Sequence, residues 1–145
     1  MSGLPLVLDS AGLDELASEA PSERFRALLA EAARRGREVL APSLACAELA
    51  RGVPRTRRLE AAVARHDAGR GERPAVRLVD TDFALAKLVG ALLEAAGRGS
   101  AGIVDAHVVA LCVAPGGGLV VTSDPNDMAA LAEAVPAVRV RTTPP

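Results

Sequence analysis

Two apolar runs that each end in an aspartate constrain this chain more than any other feature. Leu119-Val120-Val121-Thr122-Ser123-Asp124 follows Gly116, Gly117 and Gly118 and precedes Pro125. A short run of β-prone residues between turn signals predicts a buried strand. Leu6-Val7-Leu8 repeats the pattern and runs into Asp9. In an open parallel sheet, ligands gather outside the carboxyl ends of the strands, where strand order reverses. Two strands that each deliver an aspartate there point to one metal site, completed by acids from helices.

The rest of the chain alternates between the same two kinds of pattern. The first strand is expected at Leu4 to Leu8, followed by a short helix after Ser10 that carries Leu13 and Leu16. Phe25, Leu28, Leu29 and Ala32 lie at helical spacing behind the capping residue Ser22. A brief second strand, Glu38 to Ala41, stops at Pro42. Ser43 is expected to cap a helix to about Arg51, closed by Gly52, with Pro54 separating it from an arginine-rich helix over Thr56 to Ala68. A polar loop over Gly69 to Pro74 leads to a third strand, Val76 to Val79. Asp80-Thr81-Asp82 opens a long helix that ends at Gly97. Helices are expected again at Ile103 to about Ala114 and at Pro125 to about Ala134, with a last edge strand at Val138-Arg139-Val140 and a tail from Thr142. Strands alternating with helices predict an α/β protein, a three-layer α/β/α sandwich around a parallel sheet. A chain of 145 residues is long enough for one core of this kind, so a single domain over 1–145 is expected.

Composition excludes several alternatives. The formal net charge is -1, so overall charge does not advertise nucleic acid or an anionic membrane. Only Lys87 among the 17 basic residues is a lysine, and Arg51, Arg55, Arg57 and Arg58 crowd one segment, as a phosphate-facing patch or a solvated helix start. Phe25 and Phe83 are the only aromatics, both at helical spacing that suggests core packing, so a base-stacking platform is not expected. Cys46 and Cys112 sit in apolar helical patterns and read as buried thiols rather than a disulfide, which fits a reducing cytosol. No signal segment is expected at the start, and no charge-free apolar stretch reaches the roughly 18–20 residues a membrane span needs. A cytoplasmic protein without a membrane partner is therefore expected.

Asp9, Glu48, Asp105 and Asp124 stand out as lone acids in apolar or special surroundings. Burying an unpaired carboxylate is costly, so such groups are generally paired, hydrogen-bonded or metal-bound. If all four converge, their repulsion calls for a cation, and an all-oxygen donor set suits Mg²⁺ or Mn²⁺. Each also has a plain structural use. Asp9 and Asp124 are suited to cap helices, the latter with Pro125 at the first helical position. Asp105 lies near a helix start, where negative charge is favourable. Glu48 has only small apolar neighbours in sequence, and Arg51, three residues on, is its candidate partner. Asp127, one turn after Asp124, is an accessory ligand or a first-turn acid. Thr122, Ser123 and Ser10 are placed to orient a water or phosphate, or simply to make turns. His107 points away from Asp105 on the same helix and reads as packing or surface, and His66 as solvated.

With these residues in place, the chain resembles the PIN-domain ribonucleases, in particular the VapC-like toxins of toxin–antitoxin pairs. The resemblance rests on Leu6-Val7-Leu8-Asp9-Ser10, Glu48-Leu49-Ala50-Arg51-Gly52, Ile103-Val104-Asp105-Ala106 and Val121-Thr122-Ser123-Asp124-Pro125-Asn126-Asp127-Met128, in that order and spacing. It implies strand order 3-2-1-4-5, which sets the two aspartate-terminated strands side by side. It implies that Asp9, Glu48, Asp105 and Asp124 bind one or two Mg²⁺ or Mn²⁺ ions, with either Asp124 or Asp127 as the fourth acid and Thr122 supporting the site. The activity implied is hydrolysis of single-stranded or looped RNA by metal-activated water. The partners implied are a small antitoxin and a second copy of the chain.

Two other classes compete. A non-catalytic module of the same fold would not need all four acids. A receiver-like signalling domain would need an aspartate after the third strand, where Asp80 stands, and a lysine near the end of the fifth, where only Arg139 and Arg141 occur, Lys87 being on a helix. Ser10-Ala11-Gly12 after the first strand is not a dinucleotide-binding glycine fingerprint.

Overall fold

The computed structural model describes residues 3–67 and 74–145. Strands β1 (Leu6–Leu8), β2 (Val39–Pro42), β3 (Val76–Val79), β4 (Gly117–Val121) and β5 (Arg139–Thr143) form one parallel sheet in the order β3-β2-β1-β4-β5. The helices are α1 (Ser10–Ala17), α2 (Glu23–Arg34), α3 (Cys46–Leu49), α4 (Val53–Arg65), α5 (Phe83–Ala95), α6 (Ile103–Leu111) and α7 (Pro125–Ala132). They cover both faces of the sheet. Leu13, Leu16, Phe25, Leu29, Leu49 and Leu59, from α1 to α4, pack with Leu6, Leu8 and Val39 on one face. Val89, Leu92, Val108, Val109, Met128 and Leu131, from α5 to α7, pack with Val7, Leu40 and Val120 on the other. A sheet buried on both faces explains why its central strands read as continuous apolar runs rather than alternating ones. The three-layer α/β/α expectation and its strand order both hold.

Local capping follows the side-chain chemistry. Ser22 Oγ accepts from Phe25 N at 3.0 Å, and Asp82 Oδ1 from Leu85 N at 2.8 Å, so each starts its helix. Ser43 does not cap. It lies inside a 3-10 turn (Ser43–Ala45) that leads into the four-residue α3, so the expected long helix is a brief one. Pro54 does not separate helices either. It sits in the first turn of α4, where the missing N–H has no intrahelical partner to lose. The expected end of that helix at Ala68 and the loop from Gly69 lie outside the described residues, apart from Pro74.

Of the glycines ahead of Leu119, Gly116 ends the turn and Gly117 and Gly118 belong to β4. A Cβ at Gly117 would lie 2.6 Å from the Arg139 carbonyl oxygen and 2.8 Å from a Leu4 methyl, so only glycine lets β5 approach here. At the other end of the ladder, Thr142 and Thr143 pair with Val120 and Val121, so the expected tail is the end of an edge strand. Phe83 is not core. It is 78% exposed at the start of α5, with the Lys87 amino group 5.1 Å from its ring centre. His66 is buried rather than solvated, with Nδ1 3.2 Å from the Pro74 carbonyl. No helix among the described residues is long and apolar enough to cross a membrane.

Candidate active site at the carboxyl edge of the sheet

Strand register sets the site. Leu8 and Val121 are paired neighbours in β1 and β4, so the residues that follow them leave the sheet together. Asp9 is the first of these. It caps α1, its Oδ1 accepting from Gly12 N at 2.9 Å. The first turn of α1 presses so closely on the sheet that a Cβ at Gly12 would lie 3.2 Å from Leu8 Cβ, Val121 Cβ and the Val121 oxygen. Asp9 is buried, as is Thr122 beside it.

Thr122 joins the two strand ends. Its hydroxyl donates to the Asp9 carboxylate and accepts from Asp124 N at 2.9 Å. Its own N–H donates to the Thr143 carbonyl at 3.0 Å, which fixes it to β5. Asp124 occupies the cap position of α7, yet its side chain accepts no capping hydrogen bond and is exposed. The capping role open to Asp124 is therefore not used, and the carboxylate is left facing outward. Ser123 is exposed and makes none of the described side-chain hydrogen bonds.

The helical acids come from opposite layers. Asp105 lies in the first turn of α6 and is half-buried. Glu48, on α3, is exposed and takes a hydrogen bond from Ser10 Oγ, which ties α3 to the start of α1. The apolar neighbours that surround Glu48 in sequence do not surround it in space. The helix is too short to bury more than one side, and Leu49 takes that side. Arg51 does not pair with Glu48: its Nε donates to the Ala47 carbonyl at 2.9 Å, closing the end of α3.

Charge shows how near the acids stand to one another. Burial lifts Asp9 above the ordinary carboxylate range. The Thr122 hydroxyl and the N–H groups of Gly12 and Ala11 oppose this, and the charge of Asp124 adds to it. Asp105 is pushed up to about 6, first by burial and then by the charges of Asp9, Asp127, Asp124 and Glu48. The acids therefore share one electrostatic neighbourhood, although among the described residues no three His, Cys, Asp or Glu side chains are gathered into a ready metal site.

Asp127 has its own partner. Arg98, in the turn after α5, makes an ion pair with it at 2.9 Å. The sequence does carry a signal for Arg98: an arginine between Gly97 and Gly99, shortly before the helix that bears Asp105. His107 is structural. Its Nδ1 is 2.7 Å from the Ile103 carbonyl and its Nε2 2.8 Å from the Thr81 hydroxyl, so the ring pins α6 to the chain after β3. Both thiols are free, and burial pushes Cys112 up to about 11.

A profile of the PIN domain matches residues 10–134. The chain belongs to the PIN domain family. PIN domains are a family of metal-dependent nucleases, which supports a nuclease reading of the acids at this edge. The match begins at Ser10, directly after Asp9, and runs through Glu48, Asp105, Asp124 and Asp127. Among curated proteins, none matches the chain.

Proposed function

We propose that this PIN domain is a metal-dependent endoribonuclease that cuts single-stranded or looped RNA and serves as the toxin of a toxin–antitoxin pair. The observation that carries the nuclease part is the Thr122 bridge, which holds Asp9 and Asp124 at adjacent strand ends. Glu48 and Asp105 approach from the two helical layers, and the charges of all the others raise the proton affinity of Asp105. Four oxygen-donor carboxylates whose mutual repulsion is uncompensated fit a hard cation, Mg²⁺ or Mn²⁺. Asp9, Glu48, Asp105 and Asp124 would hold it, and when bound it supplies an activated water and neutralises charge on the phosphodiester.

The chain's own residues prepare this chemistry. Thr122 and the α1 amides favour the ionised form of Asp9 and oppose the effect of its burial. Ser10 orients Glu48. Asp124 is left without a capping bond and so is available to a ligand. Asp127, engaged by Arg98, belongs to the rim of the site.

The test is cleavage of an end-labelled RNA pool by purified protein with Mg²⁺, Mn²⁺ or EDTA, beside the Asp9→Asn variant. Metal-dependent cleavage that the variant lacks supports the nuclease. No cleavage by folded protein with either ion leaves a non-catalytic PIN module. For the toxin role, induced expression should arrest bacterial growth, the variant should not, and a small adjacent gene should restore growth. The free thiols accord with the reducing cytoplasm in which such a toxin would act. The same reading expects a homodimer, which sedimentation of the purified protein tests.

A further inference from the structure

A cluster of carboxylates repels the phosphodiester strand it is to cut, so affinity for that strand must come from cations beside the cluster. The structure has them on two sides. On the layer formed by α5 to α7, a cleft of about 470 Å³ is lined by Arg98, Gly99, Gly102, Asp105 and Asp127. Arg98 is held there by Asp127 at 2.9 Å, and the pair remains partly exposed. On the opposite layer, a cleft of about 250 Å³ lies between α1, α3 and α4 and is lined by Asp14, Glu15, Leu49, Arg55 and Arg58. Leu49 in its wall follows Glu48 on α3, and Asp14 stands one turn beyond Ser10 on α1. Arg55 and Arg58 are exposed and take part in none of the ion pairs among the described residues. Asp14 makes none either, and Glu15, also in the cleft wall, accepts from Ser22 N at 2.6 Å. Two arginines without an ion pair among the described residues thus stand in a concave surface whose wall includes the neighbour of Glu48, and a third stands in a second concave surface with Asp105.

We infer that a single RNA strand crosses the carboxyl edge of the sheet from the Arg98 cleft to the Arg55–Arg58 cleft, with its phosphates on these arginines and the scissile bond over the acids between them. The inference rests on the ribonuclease reading of the acids. Arg98, Arg55 and Arg58 are positioning residues for the strand and not catalytic ones. Guanidinium groups suit this task because they meet phosphate oxygens in a bidentate fork. The Asp127 carboxylate keeps Arg98 at its post while the strand is absent.

The experiment is binding of a fluorescein-labelled oligouridylate to Asp9→Asn protein across a salt series, followed by anisotropy. Arg98→Gln and Arg55→Gln/Arg58→Gln are introduced separately, and the matching lysine variants serve as controls for charge and folding. Taking one arginine away from a single-strand phosphate should lower the slope of log affinity against log salt by about 0.7. The expected result is therefore a slope shallower by about 0.7 for Arg98→Gln and about 1.4 for the double variant, by the same rule. Affinity at low salt should fall several-fold, and the lysine variants should recover most of the slope. In the cleaving enzyme, the glutamine variants should raise KM with little change in kcat. Affinity and slope equal to those of the parent overturn the path, even where the wild-type protein cleaves RNA. Absence of RNA binding by the parent overturns it also. Binding that depends on these arginines in a protein that cuts nothing keeps the path and removes the nuclease reading instead.

Discussion

Replacing Asp105 by asparagine should make the metal-free protein more stable at neutral pH. The carboxyl of Asp105 is raised from its ordinary 3.8 to about 6 in the fold. A raised acid holds its proton more tightly folded than unfolded. Its favourable contribution is complete below pH 4 and is lost as pH climbs through 6, after which the deprotonated group burdens the fold. A shift of about two units corresponds to about 3 kcal/mol at 1.36 kcal/mol per unit. Asp105 is only half-buried, so solvent screening reduces this to about 1 kcal/mol. In a chain of this size that is a gain of roughly 3 °C in Tm for Asp105→Asn. The assay is thermal unfolding in EDTA at pH 5 and pH 8, for both proteins. The variant should melt higher at pH 8, and the gap should shrink at pH 5. Added Mg²⁺ should raise the wild-type Tm and leave the variant much less affected, since a ligand stabilises only the fold that binds it. A variant no more stable than wild-type in EDTA at pH 8 would refute the claim that burial and neighbouring charge burden the ionised Asp105.

Three further outcomes follow from the packing. Thr122→Val removes the hydroxyl between Asp9 and Asp124 and should cost about 1–3 kcal/mol in urea unfolding, with the ionisation of Asp9 moved to higher pH in carboxylate NMR. Gly117→Ala forces a Cβ to 2.6 Å from the Arg139 oxygen and should cost about 1–3 kcal/mol, with hydrogen exchange accelerated first in β5. Phe25→Ala should destabilise by about 3–5 kcal/mol, whereas exposed Phe83→Ala should stay within about 0.5 kcal/mol, both read from urea midpoints.

Much of the fold is legible in the sequence because its periodicities are clean. Val76–Val79 matches the expected third strand, and Leu6-Val7-Leu8 and Leu119-Val120-Val121 form the sheet centre as their apolar runs require. The order of the strands comes from resemblance, since apolar runs do not say which neighbours they choose. What escapes the sequence depends on space rather than pattern. Glycine usually signals a turn, but Gly117 is required by the close approach of β5. Phe83 has helical spacing, yet it starts its helix on the outer side, where nothing covers it. His66 belongs to an arginine-rich stretch that reads as solvated, but the end of α4 turns it inward toward Pro74. At the site, Asp9, Asp105 and Asp124 are visible as lone acids, and the structure brings them within electrostatic reach of one another. The surroundings of Glu48 differ from their sequence reading because neighbours in a four-residue helix do not enclose one another. The role of Arg98 is not evident in sequence because its partner lies 29 residues away, although its place between two glycines marks it.

The placement of β1 between β2 and β4 has a consequence for synthesis. Leu6 pairs with Val39 early in the chain, but its other edge waits for Leu119. Pairings this distant in sequence form late, and chains emerge from the ribosome amino end first. Asp124 can join Asp9 only after β4 has left the exit tunnel and slotted in beside β1. Under the proposed nuclease function, a nascent chain whose β4 has not yet emerged would lack Asp124 beside Asp9 and would not cut.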